Sequence, residues 1–482
     1  MISTINFKFI YKILKKTYLS PNITGFMQLE NFSLNIEMIK SGKNFLGILN
    51  DIKRRPEDAA KELGVSIEDI NLIIEGKKKL SSEIINRAAE IWPVNERDFY
   101  IIHDDCISGI KIMRSMDSEK SSRIMERAGK PYYEYRDTVM SCLAPFRPEW
   151  ILELCYVDDN DPNNPNVQWN NGHFMHQFTY FIGNVNFYYR DSNGDKQVAV
   201  MNTGDSMYIA PFTPHTFATR SNSKQKGLIL ALTYGNKLTG DIQQELSSIS
   251  SELGQEYVLD FSTIMSTFSS LLKFHREMGS ISIKEISLRS KLSEKNIEDF
   301  ENSIDMPSES QLKNLASSLN INVRDLLPNE KIEKNVILQF HKEGKNWFYP
   351  ESDRHYKFHD LASSTTLPYS KPLEITVFPN NNSVLDLKVG LHQYIYNIGN
   401  TDLTLSWLYQ NKQYDEIIHP NDSVYLKPFI QHSFQGSGNL LVLRLGGKIT
   451  GDSQRELSFV GKTNVKRAIN ESIQWFNPKN NN

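Results

Sequence analysis

The chain has few cysteines and no long apolar run, and its opposite charges nearly balance. The three cysteines (Cys106, Cys142 and Cys155) are odd in number and lack CxxC spacing. This argues against a disulfide framework or a cysteine zinc site and favours a reducing, cytoplasmic setting. No apolar segment reaches the ~18–20 residues that cross a bilayer, so we expect no membrane association. With 54 basic and 57 acidic residues, the net charge of −3 provides no global field to recruit nucleic acid.

The N-terminal segment contains lysine but little acid. Residues 1–28 hold four lysines, and the first acidic residue is Glu30. Because the stretch lacks a long apolar core and a small-residue cleavage site, we interpret residues 1–43 as an extension and not as a targeting signal. Met27 is available as an alternative start.

An internal repeat organises the rest of the chain. The segment HQFTYFIGN at 176–184 recurs as HQYIYNIGN at 392–400, and GDSMYIAPFTPHTF at 204–217 recurs as NDSVYLKPFIQHSF at 421–434. Both copies alternate apolar and polar residues and are interrupted by Gly-Asn or Asn-Asp turns, which is typical of β-hairpins. The sequence therefore predicts two related β domains.

A helical segment precedes each β segment. RPEDAAKELGVSIEDINLIIEG at 55–76 and SIKEISLRSKLSEKNIEDFEN at 282–302 have the periodicity of short amphipathic helices, and Gly64 and Ser66 are placed to end one helix and cap the next. We predict a mixed α + β fold, a tandem repeat in which a helix-turn-helix-like block is followed by a cupin β-barrel. The predicted borders are 1–43 for the extension, 44–125 and 263–335 for the helical blocks, and 126–262 and 336–482 for the barrels.

The first barrel carries candidate metal ligands. His173 and Gln177 are four residues apart and so lie on the same face of a strand, and His215 follows the Gly-Asp-Ser turn. Two histidines and one oxygen donor with open positions suit a non-haem Fe(II) site that activates O2. The alternative is an ordinary cupin core without metal.

The second barrel retains only part of this set. Gln393 and His432 repeat Gln177 and His215 at spacings of 216 and 217 residues, but Val389 stands where His173 would be. We therefore predict that the second barrel is degenerate and free of metal. His392 repeats His176, which alternation places on the strand face opposite to Gln177.

Helix-turn-helix blocks beside a cupin also suit a ligand-sensing transcription regulator. Such a protein needs basic side chains on its recognition helix. The candidate helix in SIEDINLIIEG instead begins with Glu68 and Asp69, and its counterpart SEKNIEDFEN is also acidic. The regulator remains the non-enzymatic alternative.

The order of modules, the NNGH motif and the GDS…PH segment together resemble the 2-hydroxyethylphosphonate dioxygenase family of non-haem iron cupins, from about residue 44 onward. In some members the third ligand is a glutamate six residues before the second histidine. Here that position is Ile209, and the oxygen donor is Gln177. The resemblance implies Fe(II) held by His173, Gln177 and His215.

The resemblance also implies contacts to a phosphonate substrate. Arg127, Tyr135 and Asn170 stand at matching positions, and Lys53 stands where the family places a lysine that reaches an active site in the assembly. These contacts suit a dianionic phosphonate, which binds well to a guanidinium fork and neutral donors. Arg136 is an alternative to Arg127, and Tyr133 is a weaker neighbour.

The implied reaction is O2-dependent cleavage of the carbon–carbon bond of 2-hydroxyethylphosphonate. With a glutamine ligand, the resemblance implies methylphosphonate and CO2 as products. The alternative within the family is hydroxymethylphosphonate and formate. A lysine that acts across a boundary implies a homo-oligomer, either a dimer or a tetramer.

Overall fold

The structure is a computed structural model that describes residues 23–221, 225–235, 240–328, 334–379 and 384–476, with the backbone alone for 23–34 and 251. The predictions for residues 1–22 lie outside these residues. The described residues divide into two compact units: those within 1–111, 141–144 and 446–482 form the first, and those within 112–140 and 145–445 form the second. Within the described ranges, no helix is long and apolar enough to cross a membrane.

The first unit is helical. Its helices are α1 (Ile23–Asp51), α2 (Pro56–Leu63), α3 (Ile67–Ile74), α4 (Ser82–Ile91) and the C-terminal α12 (Asp452–Ile469), which bends at Gly461. Residues Phe45, Ile70 and Trp92 are buried in its core. The predicted border at residue 43 falls inside α1, because its buried face continues through Phe45.

The ends of α2 and α3 have a clear local cause. Gly64 ends α2 in the left-handed conformation, with φ of 72°, which glycine adopts without a Cβ penalty. Ser66 then caps α3, since its side chain accepts a hydrogen bond from the backbone N–H of Asp69 at 3.0 Å. The predicted helix boundary at these two residues is confirmed.

The second unit contains most strands and a second helical group. Its helices are α5 (Ser115–Lys120), α6 (Asp241–Ser248), α7 (Ser251–Gln255), α8 (Ile264–Met278), α9 (Ile283–Ser290), α10 (Glu294–Glu301) and α11 (Glu309–Leu319). Helices α8 to α11 enclose a core that includes Phe268, Ile297 and Leu315.

The strands come in two sets. The first set is β1 (Ile110–Met113), β2 (Arg123–Arg127), β3 (Lys130–Asp137), β4 (Phe146–Glu153), β5 (Tyr156–Val157), β6 (His176–Ile182), β7 (Val185–Arg190), β8 (Lys196–Met201), β9 (Ser206–Ile209), β10 (His215–Arg220) and β11 (Leu228–Tyr234). The second set is β12 (Val336–Gln339), β13 (Asn346–Tyr349), β14 (Tyr356–Asp360), β15 (Ser370–Val377), β16 (Leu387–Lys388), β17 (His392–Asn397), β18 (Leu403–Tyr409), β19 (Lys412–Ile418), β20 (Ser423–Leu426), β21 (Gln431–Gly436) and β22 (Gly438–Leu445).

The strands form two lobes, each with a seven-stranded and a four-stranded sheet. The first lobe has the orders β12-β9-β6-β11-β4-β3-β2 and β5-β10-β7-β8, and the second lobe has β1-β20-β17-β22-β15-β14-β13 and β16-β21-β18-β19. The orders match position by position, although β5 pairs with β10 in parallel and the corresponding β16 pairs with β21 in antiparallel fashion. The fold is mixed α and β.

In each seven-stranded sheet, one edge strand comes from the chain segment that precedes the other lobe. Strand β12 pairs with β9 of the first lobe, where Val336 lies opposite Ile209, and β1 occupies the corresponding edge of the second lobe. The predicted border at 336 had assigned β12 to the second barrel. Each of these strands covers the open edge beside β9 or β20, which would otherwise expose unpaired backbone groups.

We predict that Arg114→Ala destabilises the second unit by about 2–4 kcal/mol. The Asp422 carboxylate is 1% exposed, and it accepts bonds from Arg114 Nη1 and from the backbone N–H of Ser115, both at 2.8 Å. Removing the guanidinium leaves a buried carboxylate without its charged partner. Thermal unfolding followed by circular dichroism measures the loss as a lower apparent Tm.

The matched control for this prediction is Arg87→Ala. Arg87 pairs with Glu90 at 3.2 Å, but both side chains are more than half exposed. Such surface pairs contribute less than about 1 kcal/mol. Equal apparent Tm values for the two variants would contradict the importance of the Arg114–Asp422 pair.

Candidate metal centre

Three predicted ligands meet in the first lobe. Gln177 lies on β6, His215 begins β10, and His173 lies in the loop before β6. His173 Nε2 is 3.0 Å from Gln177 Oε1, and the centroids of the two imidazole rings are 5.2 Å apart. Two donor atoms that share a metal at about 2.1 Å and at right angles lie about 3 Å from one another. The donor set therefore fits a single metal ion.

Backbone carbonyls orient the two imidazoles. His173 Nδ1 lies 2.7 Å from the Met175 carbonyl oxygen, and His215 Nδ1 lies 2.8 Å from that of Thr213. Because a carbonyl oxygen only accepts, each Nδ1 must carry the proton and donate it. Each Nε2 is then unprotonated and can offer its lone pair to a metal. Burial also lowers the pKa of His215 to about 4, which keeps this ring neutral.

A hydroxyl group orients the amide of Gln177. Gln177 Nε2 donates to Thr179 Oγ1 at 2.9 Å, and both side chains are buried. With Nε2 at this hydroxyl, Oε1 is the amide atom that faces His173, 3.0 Å from its Nε2. Thr179 is on the same face of β6, two residues further along. The sequence prediction did not include this residue.

Gly172 sets the path of the loop that carries His173. Its φ is +72°, and a Cβ here would lie 2.5 Å from the carbonyl carbon of Phe212. The close approach permits the backbone N–H of Phe212 to donate to the His173 carbonyl at 2.7 Å. A glycine is therefore required next to the ligand.

The second lobe preserves this loop contact without the ligand. The backbone N–H of Phe429 donates to the Val389 carbonyl at 2.7 Å, which makes Val389 the structural equivalent of His173. Gln393 Oε1 accepts a bond from Arg444 Nε at 3.1 Å. The amide oxygen is thus occupied by a partly buried guanidinium, whose pKa burial lowers to about 10.

His176 and His392 face away from these positions. His176 Nδ1 lies 2.7 Å from the hydroxyl oxygen of Tyr208, and His392 Nδ1 lies 2.7 Å from that of Tyr425. The prediction that alternation separates His176 from the ligand face is confirmed. Across the described ranges, no three His, Cys, Asp or Glu side chains form a metal site. The candidate centre offers two side chains of those types, and its third candidate donor is an amide.

A cavity of about 130 Å³ opens onto the three donor atoms. Drug-sized ligands occupy about 300–1,000 Å³, so this cavity suits a much smaller molecule. Its lining comprises Arg127, Tyr133, Tyr135, Arg147, Glu149, Ile151, Asn170, His173, Gln177, His215, Phe217, Ala231 and Thr233. Three of the four predicted substrate contacts (Arg127, Tyr135 and Asn170) are in this list, as is Tyr133.

Asn170 presents its NH2 group beside the ligands. Its Oδ1 accepts bonds from the backbone N–H of Gly172 at 3.0 Å and of His215 at 2.8 Å. Its Nδ2 lies 3.2 Å from His215 Nε2. With the oxygen bound on the protein side, the amide can act only as a donor toward the cavity.

Arg127 brings positive charge to the cavity. Its Nη1 donates to the carbonyl oxygen of Gln168 at 2.7 Å and to Thr216 Oγ1 at 3.1 Å, and its guanidinium lies 4.7 Å from the centroid of the Tyr133 ring. These acceptors are neutral, so the charge of Arg127 is available to an anion. Arg136 instead pairs with Glu134 at 2.7 Å and does not line the cavity.

Lys53 belongs to the first unit. Its Nζ donates to the carbonyl oxygen of Asp51 at 3.2 Å and lies 5.9 Å from the centroid of the Trp475 ring. Its φ of 56° is in the left-handed region. The predicted side chains that line the cavity (Arg127, Tyr133, Tyr135 and Asn170) belong to the second unit, as do His173, Gln177 and His215.

Sequence reasoning missed Arg147, Glu149 and Thr233. Arg147, Glu149 and Ile151 alternate along β4, so all three face the cavity. Thr233 lies between Arg147 and Gln177 in the strand register. Alternation in FRPEWILE at 146–153 was a signal that could have grouped the β4 residues, but it does not reveal which face is interior.

We predict that Thr179→Val lowers the metal affinity of the protein about 10–100-fold, as loss of a partner that orients a ligand commonly does. Valine has nearly the same shape but cannot accept the bond from Gln177 Nε2. Anaerobic titration with Co(II), followed by visible absorption, measures the dissociation constant. The control is Thr404→Val in the second lobe, and unchanged affinity in Thr179→Val would refute the orienting role.

The chain is similar to two proteins along nearly its whole length. Methylphosphonate synthase of Nitrosopumilus maritimus is 61% identical over 452 residues, which are 94% of this chain and 99% of the relative. HEPD of Streptomyces albus, solved with 2-hydroxyethylphosphonate and Fe(II) bound, superposes with a TM-score of 0.84 at 35% identity, over 92% of this chain and 99% of that one.

A more distant likeness concerns the fold alone. Native PhpD with cadmium atoms superposes with a TM-score of 0.71 at 17% identity, over 89% of this chain and 99% of that chain. No profile of a protein family matches the chain. The mixed α and β architecture is therefore shared with a protein whose sequence has diverged widely.

Proposed function

The chain belongs to the family of methylphosphonate synthase and HEPD, and we propose that it converts 2-hydroxyethylphosphonate and O2 into methylphosphonate, CO2 and water. It is a non-haem iron oxygenase with Fe(II) as its cofactor. The observation that carries the product assignment is the amide of Gln177, which stands as the third donor beside two histidines. The 61% identity to a methylphosphonate synthase supports the same product.

We propose His173, Gln177 and His215 as the iron ligands. Two neutral imidazole nitrogens and one amide oxygen suit Fe(II) and leave open positions for substrate and O2. When bound, the iron supplies the activation of O2 and the acceptance of substrate oxygens. The protein fixes its donors in advance, through the carbonyls of Met175 and Thr213 and the hydroxyl of Thr179.

The cavity suits a small phosphonate dianion. Arg127 offers charge, Asn170 offers N–H bonds, and Tyr135 lines the same space. Burial raises the pKa of Tyr135 to about 12, so this phenol remains a neutral donor near pH 7. We propose that these three side chains bind the phosphonate oxygens, and that Lys53 adds a further cation.

Ile209 supports the assignment of the product. It lies opposite Gln177 in the pairing of β6 with β9, is fully buried, and stands where the family resemblance implies a glutamate ligand in other members. A neutral amide leaves the bound iron one charge more positive than a carboxylate would. Isoleucine at 209 also excludes water from the space beside Gln177.

The finer architecture is part of the proposal. We propose that the two lobes are cupin barrels, that only the first holds iron, and that each helical group is helix-turn-helix-like. The matching strand orders and the guanidinium of Arg444 beside Gln393 support this. A cytoplasmic location and a homo-oligomer are further proposals, the first supported by three free cysteines.

The product identifies the function. The protein is loaded anaerobically with Fe(II) and given O2 and 2-hydroxyethylphosphonate, and the products are followed by phosphorus NMR. We expect methylphosphonate with one equivalent of CO2. A hydroxymethylphosphonate signal with formate would instead assign the other activity of the family, and no turnover would refute the enzymatic proposal.

Substituting Lys53 tests its role in substrate binding. We expect Lys53→Gln to raise the KM for 2-hydroxyethylphosphonate roughly 10–100-fold, as loss of one charge-assisted contact of about 1.5–3 kcal/mol does. Steady-state oxygen consumption measures it. The control is Lys61→Gln, an exposed lysine on α2. Unchanged kinetics in Lys53→Gln would reject the contact.

A further inference from the structure

Two rows of side chains cross the central strands of each lobe. The upper row is Arg147, Thr233 and Gln177 in the first lobe and Lys371, Arg444 and Gln393 in the second. The lower row is Glu149, Ala231 and Thr179 in the first lobe and Leu373, Val442 and Ile395 in the second. Because the register is the same, the second lobe is an internal reference for the first.

The lower row includes polar side chains in the first lobe and is entirely apolar in the second. In the second lobe it is apolar throughout, as a barrel interior normally is. In the first lobe a small residue, Ala231, lies between the polar side chains of Glu149 and Thr179. Because alanine is smaller than Val442 at the equivalent position of the second lobe, Ala231 leaves space that helps to open the cavity. Ala231 and Glu149 both line this cavity. A carboxylate has thus been placed where the repeat has leucine.

One carboxylate oxygen of Glu149 is hydrogen-bonded to a neighbouring side chain. Its side chain is 27% exposed, and Oε1 accepts a bond from Arg123 Nη2. Among the residues that the structure describes, no hydrogen bond to its Oε2 is recorded. One carboxylate oxygen therefore anchors the side chain, and the other is free to accept a bond from a ligand in the cavity.

The charges around Glu149 are of both signs. Arg123 lies on β2, Asp137 lies opposite on β3, and Arg147 precedes it on its own strand, while β11 contributes only the uncharged Ala231. Burial raises the pKa of Glu149, Arg123 opposes the rise, and Asp137 adds to it. A carboxylate with a raised pKa is a better proton acceptor near neutral pH.

The proposed reaction requires such an acceptor. The carbon that bears the hydroxyl in 2-hydroxyethylphosphonate leaves as CO2, which has no hydrogen, so the hydroxyl proton must be removed. The side chains of the upper row are a guanidinium, a hydroxyl and an amide, none of which takes a proton at neutral pH. The two ligand imidazoles use their lone pairs for the metal. Glu149 is the carboxylate that lines the cavity.

We propose that Glu149 is an acid–base residue that takes the hydroxyl proton of the substrate. The inference rests on the proposed function. The O–H bond of the substrate breaks, an O–H bond forms at Oε2 of Glu149, and the electron pair remains on the substrate oxygen. The step involves no oxidation, and the proton leaves with the water that the overall reaction forms.

The test compares Glu149→Gln, Glu149→Asp and Arg123→Gln in the full-length, iron-loaded protein. We expect Glu149→Gln to lower kcat at least about 100-fold with a KM within a few-fold of wild type, since general bases contribute about 10²–10⁴-fold. Glu149→Asp restores part of the rate. Glu126→Gln, an exposed glutamate on β2, is the control.

The pH dependence of the rate distinguishes a catalytic role of Glu149 from a purely structural ion pair with Arg123. We expect the wild-type rate to fall at low pH, because the Glu149 carboxylate becomes protonated. This acid limb of the pH profile should be absent from Glu149→Gln. Arg123 lowers the pKa of Glu149, so Arg123→Gln should move the acid limb to higher pH while keeping kcat within about 10-fold. A purely structural ion pair would give the two variants equal losses and the wild-type profile.

A second readout does not depend on turnover. Under anaerobic conditions, infrared difference spectra on addition of 2-hydroxyethylphosphonate should contain the C=O band of a newly protonated carboxyl, which is lost in Glu149→Gln. Wild-type rate and profile in Glu149→Gln, or no such band in wild type, would overturn the inference. Failure of the proposed function is distinct, because wild type would then form no methylphosphonate.

Discussion

The candidate centre depends on three hydrogen bonds, each made by the nitrogen atom of a donor side chain that points away from the metal position. Two backbone carbonyls hold the Nδ1 protons of His173 and His215, and one hydroxyl holds the NH2 group of Gln177. If any of the three were reversed, a proton would point at the metal position. The buried Thr179 supplies the partner for one of these bonds, while the tight turn at Gly172 sets the path of the loop that carries His173.

The repeated lobes show how one scaffold handles buried polar groups in two ways. Both lobes have an inward glutamine and a histidine whose Nδ1 lies near a carbonyl, but in the second lobe Arg444 satisfies the glutamine oxygen. A buried amide oxygen without a partner costs about 1–3 kcal/mol. In the second lobe, Val389 stands in place of the candidate ligand His173, and Arg444 donates to the oxygen of Gln393, while the surrounding strand orders stay the same.

The cavity combines charges that serve different parts of a small substrate. Arg127 and Asn170 offer only donors, which suit the oxygens of a phosphonate. Glu149 offers an acceptor, which suits a hydroxyl group. A cavity of about 130 Å³ brings these groups within reach of one molecule of few atoms. This separation of donors from an acceptor is what the proposed substrate, with an anionic end and a hydroxyl end, would require.

The sequence by itself determined the repeat, the mixed fold and the grouping of His173, Gln177 and His215, because each is encoded in local spacing: His173 and Gln177 share a strand face, and His176 does not. Only the tertiary structure decided that Arg127 and not Arg136 lines the cavity, that β12 joins the first lobe, and that Glu149 lies in the same row as Thr179. These facts depend on register between strands that are far apart in the chain. Alternation gives the two faces of a strand, but pairing with distant strands decides which face is interior and what stands opposite.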